Sequence, residues 1–213
     1  MIIAAGTGAW AQNAVSVSTD LSIFRNMNKD QEFTALGQTV RGDLHLAPKA
    51  SVYASISYFT GGKISNTLTA LAYDRPTNPQ TLNYTAKSTL RYRNVSFGLR
   101  HFFKGSYYSE DTWNLYGTAG FGLLLGKAEN SHSPQVDTAL YEKPPFSIEG
   151  NGEFRRLTLD LSLGAETQIG AGFFLYAEAK TWLRASTYPS PYLFNKKAPN
   201  VAILSGGLRI LID

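Results

Sequence analysis

The chain has no cysteine, which removes disulfide staples, thiol nucleophiles and Cys-based metal sites from consideration. Charge is scarce as well: Asp, Glu, Lys and Arg make up 17% of 213 residues, against about a quarter in soluble domains. Beyond residue 11 no run of about eighteen apolar residues occurs, so no transmembrane helix is available. The three histidines, His45, His101 and His132, are too dispersed for a two-His metal spacing. The net charge of +4 is spread along the chain rather than gathered, so the concentrated phosphate-binding footprint of a nucleic-acid partner is missing. Helical i, i+3, i+4 series are nearly absent too.

What is present is a high content of aromatics, 13%, nineteen glycines, and alternation of period two repeated along the chain. The alternation predicts eight strands, at about 14–26, 38–47, 51–60, 88–103, 112–126, 154–169, 172–185 and 201–212. Parts of 63–73 could prolong the third strand above the membrane, which leaves that boundary open. The connections run long, short, long, short, long, short, long: 27–37, the turn 47–50, 61–87, 104–111, 127–153, the turn 169–172, and 186–200. Short turns at one end and long loops at the other are the asymmetry of an outer-membrane barrel, and an even strand count leaves both termini in the periplasm.

Two solvents fit such alternation, a protein core or lipid. The strand at 154–169 sets Leu157, Leu159, Leu161 and Leu163 against Thr158, Asp160, Ser162 and Glu166. Strand length separates the two: globular strands average about five or six residues, whereas a tilted strand crossing lipid needs about 9–11. Aromatics near strand ends point the same way. Tyr53, Phe102, Phe103, Trp113, Phe173 and Phe174 lie by the short turns, and Phe59, Tyr92, Phe154 and Trp182 by the long loops, as girdles at the two interfaces. At 88–103 the apolar face of Val95, Phe97 and Leu99 continues into Arg93 and Arg91. Either a β-bulge near Arg93-Asn94 restores parity, or the arginines stand above the lipid.

Residues 1–11 are uncharged and end Ala9-Trp10-Ala11, the small-x-small pattern of a signal-peptidase site, so 1–11 is expected to be a signal-peptide remnant and 12–213 a single barrel domain. Ser18-Thr19-Asp20-Leu21-Ser22-Ile23-Phe24-Arg25-Asn26, Gly120-Phe121-Gly122-Leu123-Leu124, Arg156-Leu157-Thr158-Leu159-Asp160 and Tyr188-Pro189-Ser190-Pro191-Tyr192 resemble stretches of small outer-membrane barrels of Bacteroidota-type bacteria. The architecture resembles the eight-stranded OmpA and OmpX class. The resemblance implies an all-β, antiparallel up-and-down transmembrane barrel in the bacterial outer membrane, without assigned activity. It departs at Leu211-Ile212-Asp213, where such barrels often end in an aromatic residue.

An eight-stranded barrel has an interior just wide enough for side chains. The inward positions collect Asp20, Asp43, Asp160, Glu166 and Glu178 against Arg41, Arg100, Lys180 and Arg209, with His45 beside them, so a structural charge network is expected in the lumen. Asp160 is placed opposite or diagonal to Lys180. Asp160 and Glu166 stand about 20 Å apart along one strand, too far for a glycosidase pair. No catalytic residues, cofactor or metal are expected. Arg155, Arg156, Arg184, Lys196 and Lys197 are candidate contacts for lipopolysaccharide phosphates at the outer rim. The expected partners are outer-membrane lipid, lipopolysaccharide and a surface partner reached through the outer loops, with a monomeric barrel serving as scaffold or adhesin. Two alternatives stay open. A lipid A-modifying hydrolase or acyltransferase would need Ser, His and an acid facing the outer leaflet, where only His132 with Ser131, Ser133 and Asp137 is available. A soluble periplasmic ligand-binding barrel would turn the apolar face inward.

Overall fold

A strict two-residue period can bury one face of an extended strand and no face of a helix. In a computed structural model of the chain, describing residues 14–27, 31–108, 113–143, 148–185, 190–193 and 200–212, that period becomes nine strands. They are β1 (Val15–Asn26), β2 (Phe33–Ala47), β3 (Ala50–Ala72), β4 (Thr81–Lys104), β5 (Asn114–Ser133), β6 (Tyr141–Glu142), β7 (Gly150–Gly170), β8 (Phe173–Arg184) and β9 (Val201–Ile212). All pairings are antiparallel, and β1 pairs with both β2 and β9, through Val15↔Leu44 and Val15↔Ile212, closing the ring. Eight strands form an up-and-down barrel in chain order, while the two-residue β6 only adds to the top of β3.

The polar face points in and the apolar face points out. Leu21 is 76% exposed and Phe97 66%, and exposed Leu, Ile, Val or Phe stand on every barrel strand. A continuous apolar exterior of this extent is a surface for hydrocarbon rather than water. The apolar stretch runs over 95–103 on β4 and 115–125 on β5, lengths of the 9–11 residues that cross a bilayer when tilted.

Four strands continue well past that belt. The segments 61–72 and 81–87, read above as mostly loop, pair from Gly62↔Leu90 to Leu71↔Thr81, and β5 and β7 extend the sheet to Thr85↔Ser133 and Asn130↔Gly150. What hides this in the sequence is a bulge at Thr60-Gly61, where the β3–β4 register shifts between Phe59 and Gly62. Below it the even residues Ile56 and Tyr58 face outward; above it the odd residues Lys63, Ser65, Thr67 and Thr69 do. The projecting sheet has a hydrophobic cluster of its own, in which Val136 and Tyr141 cover Ala70, Tyr84 and Ala86. Tyr141 Oη anchors that cover by donating to the Pro79 carbonyl at 2.9 Å.

Through 93–94 the β4 register runs unbroken against both neighbours, so there is no bulge there, and Arg91 and Arg93 face outward above Val95. The expected signal-peptide segment lies outside the described residues.

Candidate functional site

Inside the barrel all ten residues expected to face the lumen do so, and nine of them are buried; Lys180 is partly exposed. The shortest ion pairs join strands that are not neighbours in the sheet. Glu166 on β7 stands at the centre. It receives Arg209 in a fork, Nη2 at 2.6 Å and Nε at 3.0 Å, Arg100 Nη2 at 2.6 Å, and Asn114 Nδ2 at 3.2 Å. Glu178 on β8 accepts from Arg41 Nη1 at 2.8 Å and from Tyr116 Oη at 3.0 Å, with Lys180 Nζ at 3.3 Å. Asp43 is held more loosely, 3.6 Å from Arg41 and 3.7 Å from Arg100. Aromatic faces complete the cation sites: Arg100 lies 3.7 Å from the centre of the Tyr116 ring and Arg209 3.8 Å from that of Phe174.

Two of the five acids are held by neutral donors. Asp20 accepts from Ser22 Oγ at 2.6 Å, Thr39 N at 3.0 Å and Tyr176 Oη at 3.2 Å. Asp160 accepts from Thr158 Oγ1 at 2.6 Å and Asn94 Nδ2 at 2.8 Å; Lys180, diagonal to it in the hairpin, engages Glu178 instead. At the short-turn end His45 lies between Ser16 Oγ (2.5 Å) and Ser51 Oγ (2.6 Å), its ring stacked on Tyr107 at 4.2 Å.

Towards the long loops the lumen turns aromatic. Phe24 meets Phe33, Phe59, Tyr92 and Trp182 with ring centroids 4.8–5.7 Å apart, and Leu90, Leu124, Val201, Ile203 and Phe154 join the same cluster. This corrects the girdle expected there. Phe59, Tyr92, Phe154 and Trp182 sit at interface height but carry inward parity, as do Tyr53, Phe102 and Phe174 at the other end. Among the described residues the outward girdle consists of Phe103, Tyr108, Trp113 and Phe173 by the short turns and Tyr58 on the opposite side.

The expected rim contacts divide. Arg155 faces outward and is exposed. Arg156 does not reach the outer leaflet: it is 1% exposed, inside the barrel, on the same face of β7 as Thr158 and Asp160. Its parity requires this, and its guanidinium lies 5.4 Å from the Phe154 ring. The side chain of Arg184, and Lys196 and Lys197 altogether, lie outside the described residues. Arg93 and Arg91, which the sequence sets above the lipid if no bulge intervenes, stand in the first and second outward rows above the belt. Their signal was the parity itself, had the bulge been set aside.

The Ser–His grouping around His132 comes apart. His132 is buried with its ring 5.0 Å from Tyr84, whereas Ser131 and Ser133 point to the opposite, solvent face. His101 faces outward among apolar residues, packed edge-on against Phe103.

A closed, eight-stranded ring with polar residues inside and an apolar belt outside leaves one architecture. The chain folds as an outer-membrane β-barrel. No protein-family model matches it, and no curated protein sequence matches it. Among solved structures it is similar to Neisserial surface protein A, with a TM-score of 0.58 at 9% identity over 92% of this chain and 96% of that one. It is similar to Ail, the attachment invasion locus protein of Yersinia pestis, in complex with the heparin analogue sucrose octasulfate, with a TM-score of 0.51 at 13% identity over 94% and 99%. The N-terminal β-barrel domain of Pseudomonas aeruginosa OprF gives 0.50 at 10% identity over 92% and 97%. At such identities the likeness is one of fold.

Proposed function

We propose that this barrel stands in the outer membrane of a Gram-negative, Bacteroidota-type bacterium as a monomeric, non-enzymatic surface protein with a plugged lumen, serving attachment or envelope scaffolding. One observation carries the reading. Ion pairs and stacked rings line the interior, while β3, β4, β5 and β7 rise past the lipid belt as a paired sheet with a polar outward face of Lys63, Ser65, Thr67, Thr69 and Lys87. A barrel that closes its channel and builds outward offers a surface instead of a passage. Every barrel strand is paired within the belt, so no open edge there recruits a second copy. The likeness to a protein named for attachment and invasion supports the adhesive form of this reading.

The absence of cysteine makes a clean test possible. Ser65→Cys and Lys87→Cys, on the projecting sheet, should react with a membrane-impermeant maleimide on intact cells. Ala171→Cys, in the β7–β8 turn, should react only after the outer membrane is opened. The reverse pattern, or extraction of the protein without detergent, overturns the placement. Cells producing the protein should adhere to glycan- or matrix-coated surfaces more than cells lacking it, and equal adhesion with an intact envelope in both removes the adhesive role.

A further inference from the structure

The apolar belt ends abruptly on one side of the barrel, and the ladder shows what replaces it. Across β4, β5 and β7 the last lipid-facing row is Val95↔Leu123↔Leu157. The next row up is Arg93↔Leu125↔Arg155, and the one above is Arg91↔Lys127↔Glu153. These two rows border an outward-facing cleft of about 350 Å³ whose lower side includes Leu125 and Tyr58. Arg93 lies 5.6 Å from the Tyr58 ring, the geometry of a cation against an aromatic face.

The four cations are not equally engaged. Arg91 and Lys127 share Glu129, at 3.5 Å and 3.3 Å. Among the described residues no carboxylate lies within 4.0 Å of the side-chain nitrogens of Arg93 or Arg155. Strands two apart in a sheet are separated by roughly 10 Å, so two outward guanidinium arms flanking Leu125 can converge on one anion. Four cations against Glu129 and Glu153 leave a surplus of two positive charges, close to the charge of about −1.5 to −2 carried by a phosphate monoester. Arginine forks suit the oxygens of such a group.

We infer that this cleft binds the phosphate of a single phosphorylated lipid headgroup, with Arg93 and Arg155 as the principal ligands and Arg91 and Lys127 as flanking charges. The inference rests on the outer-membrane reading above, and it names which lipid chemistry the barrel selects and on which side. A lipid-borne phosphate fits better than a dissolved one, because the lower side of the cleft is continuous with the apolar row of Val95, Leu123 and Leu157, where acyl chains would lie. At the same level on β1, Arg25 is already engaged, 3.7 Å from Glu32 and 3.5 Å from Thr34 Oγ1. It serves as the control.

The test is native mass spectrometry of the full chain, folded in non-ionic detergent and mixed with bis-phosphorylated lipid A or with the same lipid stripped of its phosphates. Wild type should hold one phosphorylated lipid in preference to the stripped form. Each of Arg93→Gln and Arg155→Gln should lower that occupancy about tenfold, the effect of losing one charge-assisted contact. Arg25→Gln should leave it unchanged, and heat-modifiable gel mobility reports that each variant is folded. Equal retention of stripped lipid, or variants that bind as wild type does, overturns the site. Inorganic phosphate that competes as strongly as the lipid overturns the lipid as its source. The maleimide labelling decides where the barrel sits and the mass spectrum decides what the cleft binds, so either can fail without the other.

Discussion

Glu166 carries more of the lumen than any other side chain, because two arginines from different walls of the barrel end on it. Removing its charge would leave Arg100 and Arg209 buried with Asp43 as the carboxylate remaining near them, and an uncompensated buried charge is expensive. Glu166→Gln should therefore lower unfolding free energy by about 3 kcal/mol, read from urea titration in detergent or vesicles. Asp43→Asn should cost less, about 1 kcal/mol, because Asp43 makes only long ion pairs, at 3.6 Å and 3.7 Å. Equal losses would mean that distance across the lumen does not govern these pairs. The membership of this network was legible in the sequence, since alternation alone sorts Glu166, Glu178, Arg100 and Arg209 to one face. Its wiring was not. Arg100 reaches Glu166 from β4 to β7 and Arg41 reaches Glu178 from β2 to β8, pairs that no hairpin register joins. Tyr116 shows the same limit for packing: its phenol end occupies the space beside Gly164, where a Cβ would collide with Cζ, a fit across the β5–β7 ladder that parity alone does not reveal.

At the scale of a strand, β3 passes through two solvents on one outward face. Ile56 stands in the belt, 61% exposed to what surrounds it, and Thr67 stands beyond the bulge on the projecting sheet. Ile56→Arg should destabilise the inserted barrel by about 2–4 kcal/mol, because a charge then faces hydrocarbon. Thr67→Arg should change stability by less than about 0.5 kcal/mol, as a surface substitution in water does. Folding into vesicles of phosphatidylcholine measures both, and a cost at Thr67 matching that at Ile56 would place the projecting sheet within the lipid. Eight strands were readable from their alternation because each keeps one parity across the membrane. The continuation of β3 through 63–72 was readable only as an option, since Thr60-Gly61-Gly62 breaks the period and the Thr- and Asn-rich stretch that follows reads equally as loop. The same reliance on height over parity sent Trp182 and Phe59 to the girdle and Arg156 to the rim, although Trp182 shares its parity with Glu178 and Arg156 shares its own with Asp160.

For the molecule as a whole, the proposed plug rests on two layers of different physics in series. In the half nearer the short turns Arg41, Arg100 and Arg209 are bonded to Glu166 and Glu178, which leaves ions few free charges to replace their hydration, Asp43 being the most loosely held. The half nearer the long loops holds Phe24, Phe59, Tyr92 and Trp182, a largely apolar layer that water gains little by entering. An eight-stranded ring leaves little room beyond its side chains, so either layer should suffice to block conduction. The pure protein should give no large, stable openings in planar bilayers. Phe24→Ala combined with Trp182→Ala should remain silent too, while lowering stability by about 3–5 kcal/mol per ring removed, since the ion-paired layer beneath is untouched. Steady channels from wild type would contradict the filled lumen altogether. Channels from the double variant alone would show that the aromatic layer is the barrier and that the charged layer leaks, which would reassign Glu166 and its arginines from sealing the barrel to holding its walls together.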